Sequence, residues 1–225
     1  MRNRMKSYLV FTSAWYRLAV FLLMPIALIG LGLWVERMLW GGRGATGVIV
    51  AAVLLPMVEI VSDNWLFGGI QTKDSMRLEY LKTSGRGMDI LRAALWMDLL
   101  RKFLAALGIM ALCRLAGTWM AMAEGTDYGF DIMDWGLEAG ILLYFTLLSY
   151  FVSTLGTFLS RFGDMLWMNL LVGYGAVFVM LFGLALLNLA DIIFIIDIIC
   201  AVFGILISAV TVRAATKRVE RSYYD

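Results

Sequence analysis

The chain contains no histidine among its 225 residues. It therefore lacks the commonest general base, the commonest zinc ligand and the usual switch of charge near neutral pH. Its two cysteines, Cys113 and Cys200, each lie alone within an apolar run and are interpreted as small buried apolar residues. No G-x-x-x-x-G-K-[ST], H-E-x-x-H or G-x-S-x-G motif occurs. We predict no catalytic residue, no metal site and no cofactor in this chain, which is not expected to be an enzyme.

Charge is also scarce, with 16% charged against 62% hydrophobic residues, a composition typical of membrane proteins. A net charge of +2 is too small to indicate nucleic-acid binding. The apolar runs predict an all-α fold, a single polytopic transmembrane domain over residues 1–225 with six spanning helices. These spans are expected at about 18–35, 46–67, 103–123, 135–159, 165–187 and 192–212. Pro25 is expected to distort the first of them.

The basic residues indicate the orientation of the spans. All of the 19 lysines and arginines except Arg37, Arg43 and Arg114 lie before span one, between spans two and three, between spans four and five, or after span six. The connection at 124–138 is acidic and contains no lysine or arginine. Because basic segments remain in the cytosol, we predict a multi-pass protein of a bacterial cell membrane with both termini cytosolic. The first apolar run is expected to remain as a span, since no small-residue cleavage site follows it.

The first 17 residues combine basic side chains with apolar and aromatic ones at spacings of three, four and seven. Such a pattern is typical of a helix that lies in the headgroup region, with its aromatic residues at the interface. We predict an interfacial helix over 2–17, with a disordered tail as the alternative for its first seven residues.

The charged connection at 71–102 separates spans two and three. Its apolar residues recur at helical spacing over 74–83, which predicts a short amphipathic helix ended by Gly85. A second helix is predicted from Met88 into span three, with Asp98 and Lys102 as an i,i+4 pair. The simpler interpretation is a solvated loop whose charges only set the topology. Seven basic residues are predicted to face the cytosol here: Lys73, Arg77, Lys82, Arg86, Arg92, Arg101 and Lys102.

The run M-R-L-E-Y-L-K-T-S-G-R-G-M-D-I-L-R within this connection resembles the cytosolic segment after the second span of small ABC-2 type transporter permeases. Ser84, Gly85 and Arg86 stand where family members often have Pro-Ile-Ser. The resemblance implies an "elbow" helix at the N-terminus and a coupling helix between spans two and three. It also implies a separate ABC ATPase subunit, which carries ATP and Mg, and a second permease subunit in a homodimer or heterodimer.

The same resemblance assigns the contact with the ATPase. Met76, Tyr80 and Leu81 would dock into a groove of that subunit. Polar contacts from Arg77, Glu79 and Arg86 would set the position of the helix in this groove. The full set of predicted coupling residues is Lys73, Met76, Arg77, Glu79, Tyr80, Leu81, Ser84, Gly85 and Arg86.

Polar groups within the spans are candidates for a translocation path, since a charge at the bilayer centre costs about 2.5 to 3.5 kcal/mol. Arg114 is expected to face a cavity or a carboxylate such as Glu138 or Asp197, while a buried ion pair that only fixes packing is the alternative. Interhelical hydrogen bonding could equally explain the hydroxyl groups of span four. The candidates are Glu59, Asp63, Arg114, Tyr144, Ser149, Tyr150, Ser153 and Asp197.

The expected function is that of a permease subunit in an ATP-driven exporter. Its short outer connections favour an amphipathic or hydrophobic cargo, such as a peptide, that arrives from the membrane. An ion-coupled secondary transporter and a non-transporting membrane scaffold are the alternatives.

Overall fold

Every element in the described part of the chain is helical. The computed structural model describes residues 2–38, 45–71, 79, 81, 83–123, 132–162, 175 and 190–221, and these contain no strand. The helices are α1 (Arg2–Phe11), α2 (Ala14–Leu18), α3 (Met24–Met38), α4 (Ala45–Gln71), α5 (Gly87–Ala123), α6 (Ile132–Phe162) and α7 (Ala190–Arg221). A π-helical turn, Ala19–Leu23, joins α2 to α3. The all-α prediction is confirmed for these residues.

Within the described residues, five helical stretches are long and apolar enough to cross a membrane: Ala14–Met38, Thr46–Phe67, Gly87–Ala123, Ala139–Phe158 and Asp197–Lys217. They overlap the spans predicted at 18–35, 46–67, 103–123, 135–159 and 192–212. The remaining prediction, at 165–187, lies outside the described residues. The length and composition of these helices make the chain a multi-pass membrane protein.

The N-terminal segment forms two helices instead of the single one predicted over 2–17. α1 ends at Phe11, and α2 begins at Ala14 and runs on into the first span. Between them, Ser13 is extended (φ −76°, ψ 163°), and its side-chain oxygen accepts a hydrogen bond from the Tyr16 backbone N–H at 3.1 Å. A serine at this position satisfies one of the donors left free at a helix start, which favours a break here.

The distortion expected near Pro25 takes the form of a π-helical turn. Proline has no N–H to donate to the carbonyl four residues earlier, and its ring crowds that carbonyl. Over Ala19–Leu23 the backbone widens, so that the Met24 N–H reaches back to the carbonyl of Ala19. Such turns accommodate a proline without ending the helix, and α3 continues to Met38.

The first two spans pack as an antiparallel pair with close backbone contact. A Cβ atom added to Gly32 would lie 2.8 Å from the carbonyl oxygen of Gly47, so a larger residue does not fit there. At the other end of the pair, the rings of Tyr16 and Trp65 meet edge to face, with centroids 5.6 Å apart. The end of the first span thus meets the start of the second, which positions both helices for the contacts described below.

Glu36 lies within α3 and is buried, although the sequence placed it in the outer connection. Its Oε2 accepts a hydrogen bond from the Gly47 backbone N–H at 3.3 Å. Gly47 is in the first turn of α4, where N–H groups have no partner within the helix. The Glu36 carboxylate also interacts favourably with the positive end of the α4 helix dipole. One span therefore caps the next, which explains why the helix extends beyond Val35.

Helices α4 and α6 form the enclosed centre of the bundle. In each, 56% of the most apolar stretch is buried, against 22% to 28% in the other three spanning helices. α5 contains 37 residues and is about 55 Å long at 1.5 Å per residue, whereas the hydrocarbon core is about 30 Å thick. The predicted second helix of the charged connection is thus continuous with span three.

Candidate functional site

Five charged side chains from α4 and α5 meet in one buried cluster. Glu59 and Asp63 are four residues apart and lie on one face of α4, while Asp98, Arg101 and Lys102 lie on one face of α5. All five have at most 8% of their surface exposed. Because the two faces meet, each cation lies against carboxylates of both helices. We call these five residues the charge cluster.

Arg101 is the most extensively bonded member. Its Nη1 donates to Glu59 Oε1 at 2.9 Å and its Nη2 to Glu59 Oε2 at 2.5 Å, while its Nε donates to Asp98 Oδ1 at 3.1 Å. The Ser62 hydroxyl adds a donor to Glu59 Oε2 at 3.2 Å. The planar guanidinium matches a carboxylate in this two-pronged geometry, which a lysine would not reproduce. Arg101 therefore holds α4 and α5 in one register.

Lys102 forms the second bridge between the two helices. Its Nζ lies 3.1 Å from Asp63 Oδ1 and 3.0 Å from Asp98 Oδ2, and only 1% of the residue is exposed. The contact with Asp98 is the i,i+4 pair that the sequence predicted. The contact with Asp63 was not predicted, because the sequence placed Asp63 in span two and Lys102 in the cytosolic connection. Asp98 thus receives both cations and connects the two halves of the cluster.

Two tyrosines extend the charge cluster towards the N-terminus. The Tyr8 hydroxyl of α1 donates to Asp98 Oδ1 at 3.3 Å and lies 3.5 Å from the hydroxyl of Tyr16 in α2. Burial raises the pKa of Tyr8 above its ordinary value, and the adjacent Asp98 carboxylate raises that pKa further. The phenol therefore stays protonated and remains a donor at neutral pH, tying α1 to α5.

The charge cluster contains three carboxylates and two cations, so it carries one excess negative charge when all groups are ionised. Buried charges are tolerated only when they are paired and hydrogen-bonded, and removal of one member leaves another unpaired. Asp63 lies about 24 Å along α4 from the Gly47 end. The cluster is thus at the end of the bundle where α1 packs on α5, the end predicted to be cytosolic.

The structure brings Glu59 and Asp63 together but separates them from the other charged candidates. Arg114 is half-buried on α5, about 18 Å along the helix from Lys102. Asp197, one of the two suggested partners of Arg114, makes no hydrogen bond with it, because neither carboxylate oxygen of Asp197 has a hydrogen-bond partner in the described part of the chain. The side chain of Glu138, the other suggested partner, lies outside what the structure describes.

The predicted hydroxyl stripe of span four is present on α6, but its groups bond mainly to their own helix. The Ser153 hydroxyl donates to the carbonyl of Ser149 at 2.8 Å, a common arrangement for serine within a helix. Two candidates differ: the Tyr150 hydroxyl lies 2.7 Å from that of Ser208 in α7, and the buried Ser149 hydroxyl has no hydrogen-bond partner in the described part of the chain. Tyr144 is also buried. Three further α6 hydroxyls follow the intrahelical pattern: Thr146, Thr154 and Thr157.

The predicted coupling residues are only partly within the described chain, which excludes Lys73, Met76, Arg77 and Tyr80. Glu79, Gly85 and Arg86 are exposed, and Ser84 is half-buried. Leu81 is buried to 1% exposure, so its side chain packs within this chain and is not presented to a partner as predicted. The reason is its position directly against the start of α5.

Gly87, the first residue of α5, explains that packing. A Cβ atom added to it would lie 2.1 Å from the Leu81 carbonyl oxygen, so only glycine allows the backbones to approach this closely. The turn between them is closed by a hydrogen bond from the Gly87 N–H to the Ser84 carbonyl at 2.9 Å. The exposed turn at 84–86 is thus joined tightly to α5.

Sequence reasoning missed Tyr8, Asp98, Arg101 and Lys102 as parts of a buried site. The available signal was spacing: two carboxylates at i,i+4 in an apolar span, and three charges at i, i+3 and i+4 on the following helix. Among the described residues, no group of three or more side chains could hold a metal ion.

Comparison with known proteins adds no further assignment. No protein-family model matches the chain, and it shows no significant similarity to a curated protein or a solved structure.

Proposed function

We propose that this chain is the transmembrane permease subunit of an ATP-driven exporter of the ABC-2 type, and that a separate ATPase subunit drives it. The observation that supports this best is the exposed turn at 84–86, which is joined to a membrane helix that is itself ion-paired to its neighbour. A partner that moves the turn would therefore move buried parts of the bundle.

The mechanical connection has two steps. Gly87 packs on the Leu81 backbone, so the turn and the start of α5 move together. Farther along α5, Arg101 and Lys102 bind Glu59 and Asp63 of α4, one of the two enclosed helices. A displacement at the surface is transmitted through packed side chains and ion pairs of this kind.

In the proposed cycle, ATP and Mg bind to the partner subunit, which grips the exposed Glu79 and Arg86 together with the neighbouring residues outside the described chain. Two permease subunits form the transport unit, as the resemblance implies. Closure of the ATPase dimer pulls α5 and α4, and an amphipathic or hydrophobic cargo, such as a peptide, is released outward. The charge cluster keeps the cytosolic end closed between cycles.

The direction of α6 and α7 supports the six-span arrangement with both termini in the cytosol. Tyr150 of α6 contacts Ser208 of α7, and the earlier Tyr144 interacts electrostatically with the earlier Asp197. Early residues meet early residues, so the two helices run in the same direction. A return crossing between them is what the span predicted at 165–187 would supply, since that stretch has the composition of a spanning helix.

Purification from the native membrane tests the proposal. We expect the chain to co-purify with a subunit that carries a Walker motif and hydrolyses ATP, identified by mass spectrometry and phosphate release. Arg86→Glu reverses the charge of the exposed turn and is expected to abolish co-purification. Arg92→Glu, at another exposed arginine, on α5, is the matched control and should retain the ATPase. Absence of such a subunit, or its retention with Arg86→Glu, would refute the assignment.

Ion-coupled transport is a second candidate, because the charge cluster contains an unmatched negative charge at one end of the bundle. In this case, purified protein in liposomes would move its cargo under a proton or sodium gradient without any ATPase. Glu59→Gln would abolish that coupling. Transport that requires ATP and is indifferent to the gradient would exclude this candidate.

A further inference from the structure

Asp197 is a buried carboxylate to which the described part of the chain supplies no hydrogen-bond donor. Only 3% of the residue is exposed, and both Oδ1 and Oδ2 lack partners. It lies at the start of an apolar stretch of α7 that is long enough to span the membrane. A carboxylate buried in this way is unfavourable in its ionised form unless a cation or donor reaches it. A partner from outside the chain would therefore stabilise it.

Asp197 lies on a helix whose other face meets the lipid. Tyr144 of α6 and Cys200 of α7 are within electrostatic reach of the carboxylate. The adjacent residues Ile198 and Ile199 are 64% and 48% exposed, so the opposite face of α7 meets the hydrocarbon. The carboxylate thus lies on the inner side of a peripheral helix.

We propose that Asp197 binds the ammonium group of a cationic amphiphile whose apolar part lies along the membrane-facing bundle. An ammonium group provides both the positive charge and the N–H donors that the two carboxylate oxygens lack. A metal ion fits less well, because the described residues hold no group of three or more metal ligands.

The charge cluster does not offer a comparable binding site for an ammonium group. Its carboxylates, Glu59, Asp63 and Asp98, already contact Arg101 or Lys102. A cationic amphiphile would be a cargo class for the proposed exporter, and only the word cargo depends on that proposed function. Binding to Asp197 requires no ATPase, so ligand binding and ATPase coupling can be tested separately.

Binding of tritiated dodecylammonium to the full chain in nanodiscs of zwitterionic lipid tests the proposal. We expect saturable binding above lipid partitioning that unlabelled dodecylammonium displaces and dodecanol does not. Asp197→Asn should weaken it on the order of tenfold or more, as expected for loss of a charge-assisted hydrogen bond. Asp89→Asn, at an exposed carboxylate of α5, should bind like the wild type. Wild-type binding that does not saturate, or unchanged binding by Asp197→Asn, would overturn the proposal.

A measurement on the unaltered protein covers the case in which Asp197→Asn does not fold. Cys200 is half-buried and near Asp197, so bound dodecylammonium should slow its alkylation by a maleimide several-fold while dodecanol does not. An unchanged alkylation rate would contradict the proposal. Failure to find an ATPase partner would refute the exporter assignment and leave these binding results standing, and absence of binding would leave that assignment intact.

Discussion

Arg101 of α5 and Glu59 of α4 form a bidentate ion pair within the bundle, with Nη1 2.9 Å from Oε1 and Nη2 2.5 Å from Oε2. The charged connection at 71–102 links the two helices. The ion pair holds them together near the point where this connection enters span three. Arg101 is therefore a structural part of the bundle, although its position in the sequence suggested a solvated charge.

Truncation of Arg101 tests how much this pair contributes. Arg101→Met leaves Glu59 buried with only the Ser62 hydroxyl as a side-chain donor, and we expect it to lower the free energy of unfolding by about 3 to 5 kcal/mol. Adding Glu59→Gln should restore part of that loss, because the unpaired charge is removed. Arg92→Met, at an exposed site of the same helix, should change stability by less than about 0.5 kcal/mol. Denaturant unfolding in detergent measures all four proteins, and equal losses for both arginines would contradict the structure.

The raised pKa of Tyr8 predicts a pH dependence. The folded chain keeps the phenol protonated at a pH where the unfolded chain, with a pKa of about 10, releases the proton. The unfolded state then binds fewer protons, so this contribution to stability is present below pH 10 and is lost as the pH rises above it. Tyr8→Phe should remove about 0.5 to 1.5 kcal/mol at neutral pH.

Melting temperatures between neutral pH and about pH 11 test this expectation, since tyrosine ionises near pH 10. The wild type should lose stability more steeply than Tyr8→Phe above pH 10. Tyrosines other than Tyr16, whose hydroxyl lies 3.5 Å from that of Tyr8, contribute equally to both proteins, so the difference reports the buried Tyr8–Tyr16 pair. Parallel curves would show that the Tyr8 hydroxyl is not buried against Asp98.

Two glycines of α3 offer a matched comparison of helix packing. Gly32→Ala would place a methyl group 2.8 Å from the Gly47 carbonyl oxygen, whereas nothing lies within 4 Å of a Cβ at Gly30. We expect Gly32→Ala to destabilise by about 1 to 3 kcal/mol and Gly30→Ala to stabilise by up to about 1 kcal/mol through helix propensity. Thermal unfolding of the two variants measures these changes in stability. A Gly32→Ala variant as stable as the wild type would rule out the close crossing of α3 and α4.

A second glycine pair tests the connection between the exposed turn and α5. Gly87→Ala forces its methyl group against the Leu81 carbonyl, while a Cβ at Gly108 has open space. If the turn acts as a lever, Gly87→Ala should reduce ATPase-dependent transport at least tenfold in protein that still inserts, as for a misplaced positioning group. Gly108→Ala should transport normally. Full transport by Gly87→Ala would show that tight joining is not needed.

Cysteine labelling tests the orientation of α5. In a background in which Cys113 and Cys200 are replaced by alanine, Arg86→Cys and Met122→Cys place exposed thiols before and near the end of this helix. A membrane-impermeant maleimide should label Met122→Cys in intact cells and Arg86→Cys only in inverted vesicles. The reverse pattern would place the turn outside and remove the basis for an ATPase contact.

The helices and most spans could be predicted from the sequence because apolar runs of about 20 residues leave few alternatives in a bilayer. The span predicted at 46–67 coincides with the observed Thr46–Phe67. Local chemistry also located the distortion near Pro25, since a missing N–H acts on its own helix.

The break at Ser13 and the extension of α3 to Met38 were not predicted. Ser13 caps the next helix, and Glu36 is retained in α3 by a contact with Gly47, which is eleven residues away. The Ser13 bond is local, so its capping signal was present in the sequence, whereas the Glu36 bond forms only where α3 packs on α4.

That this chain is helical and crosses a membrane several times follows from its amino-acid order, because hydrophobic length is a local property. The burial of Arg101 and Lys102 follows from the folded arrangement, since their partners Glu59 and Asp63 lie 42 and 39 residues away. Whether a charge faces water or another charge depends on which helix faces pack together. That packing is a relationship between distant segments, which no local pattern contains.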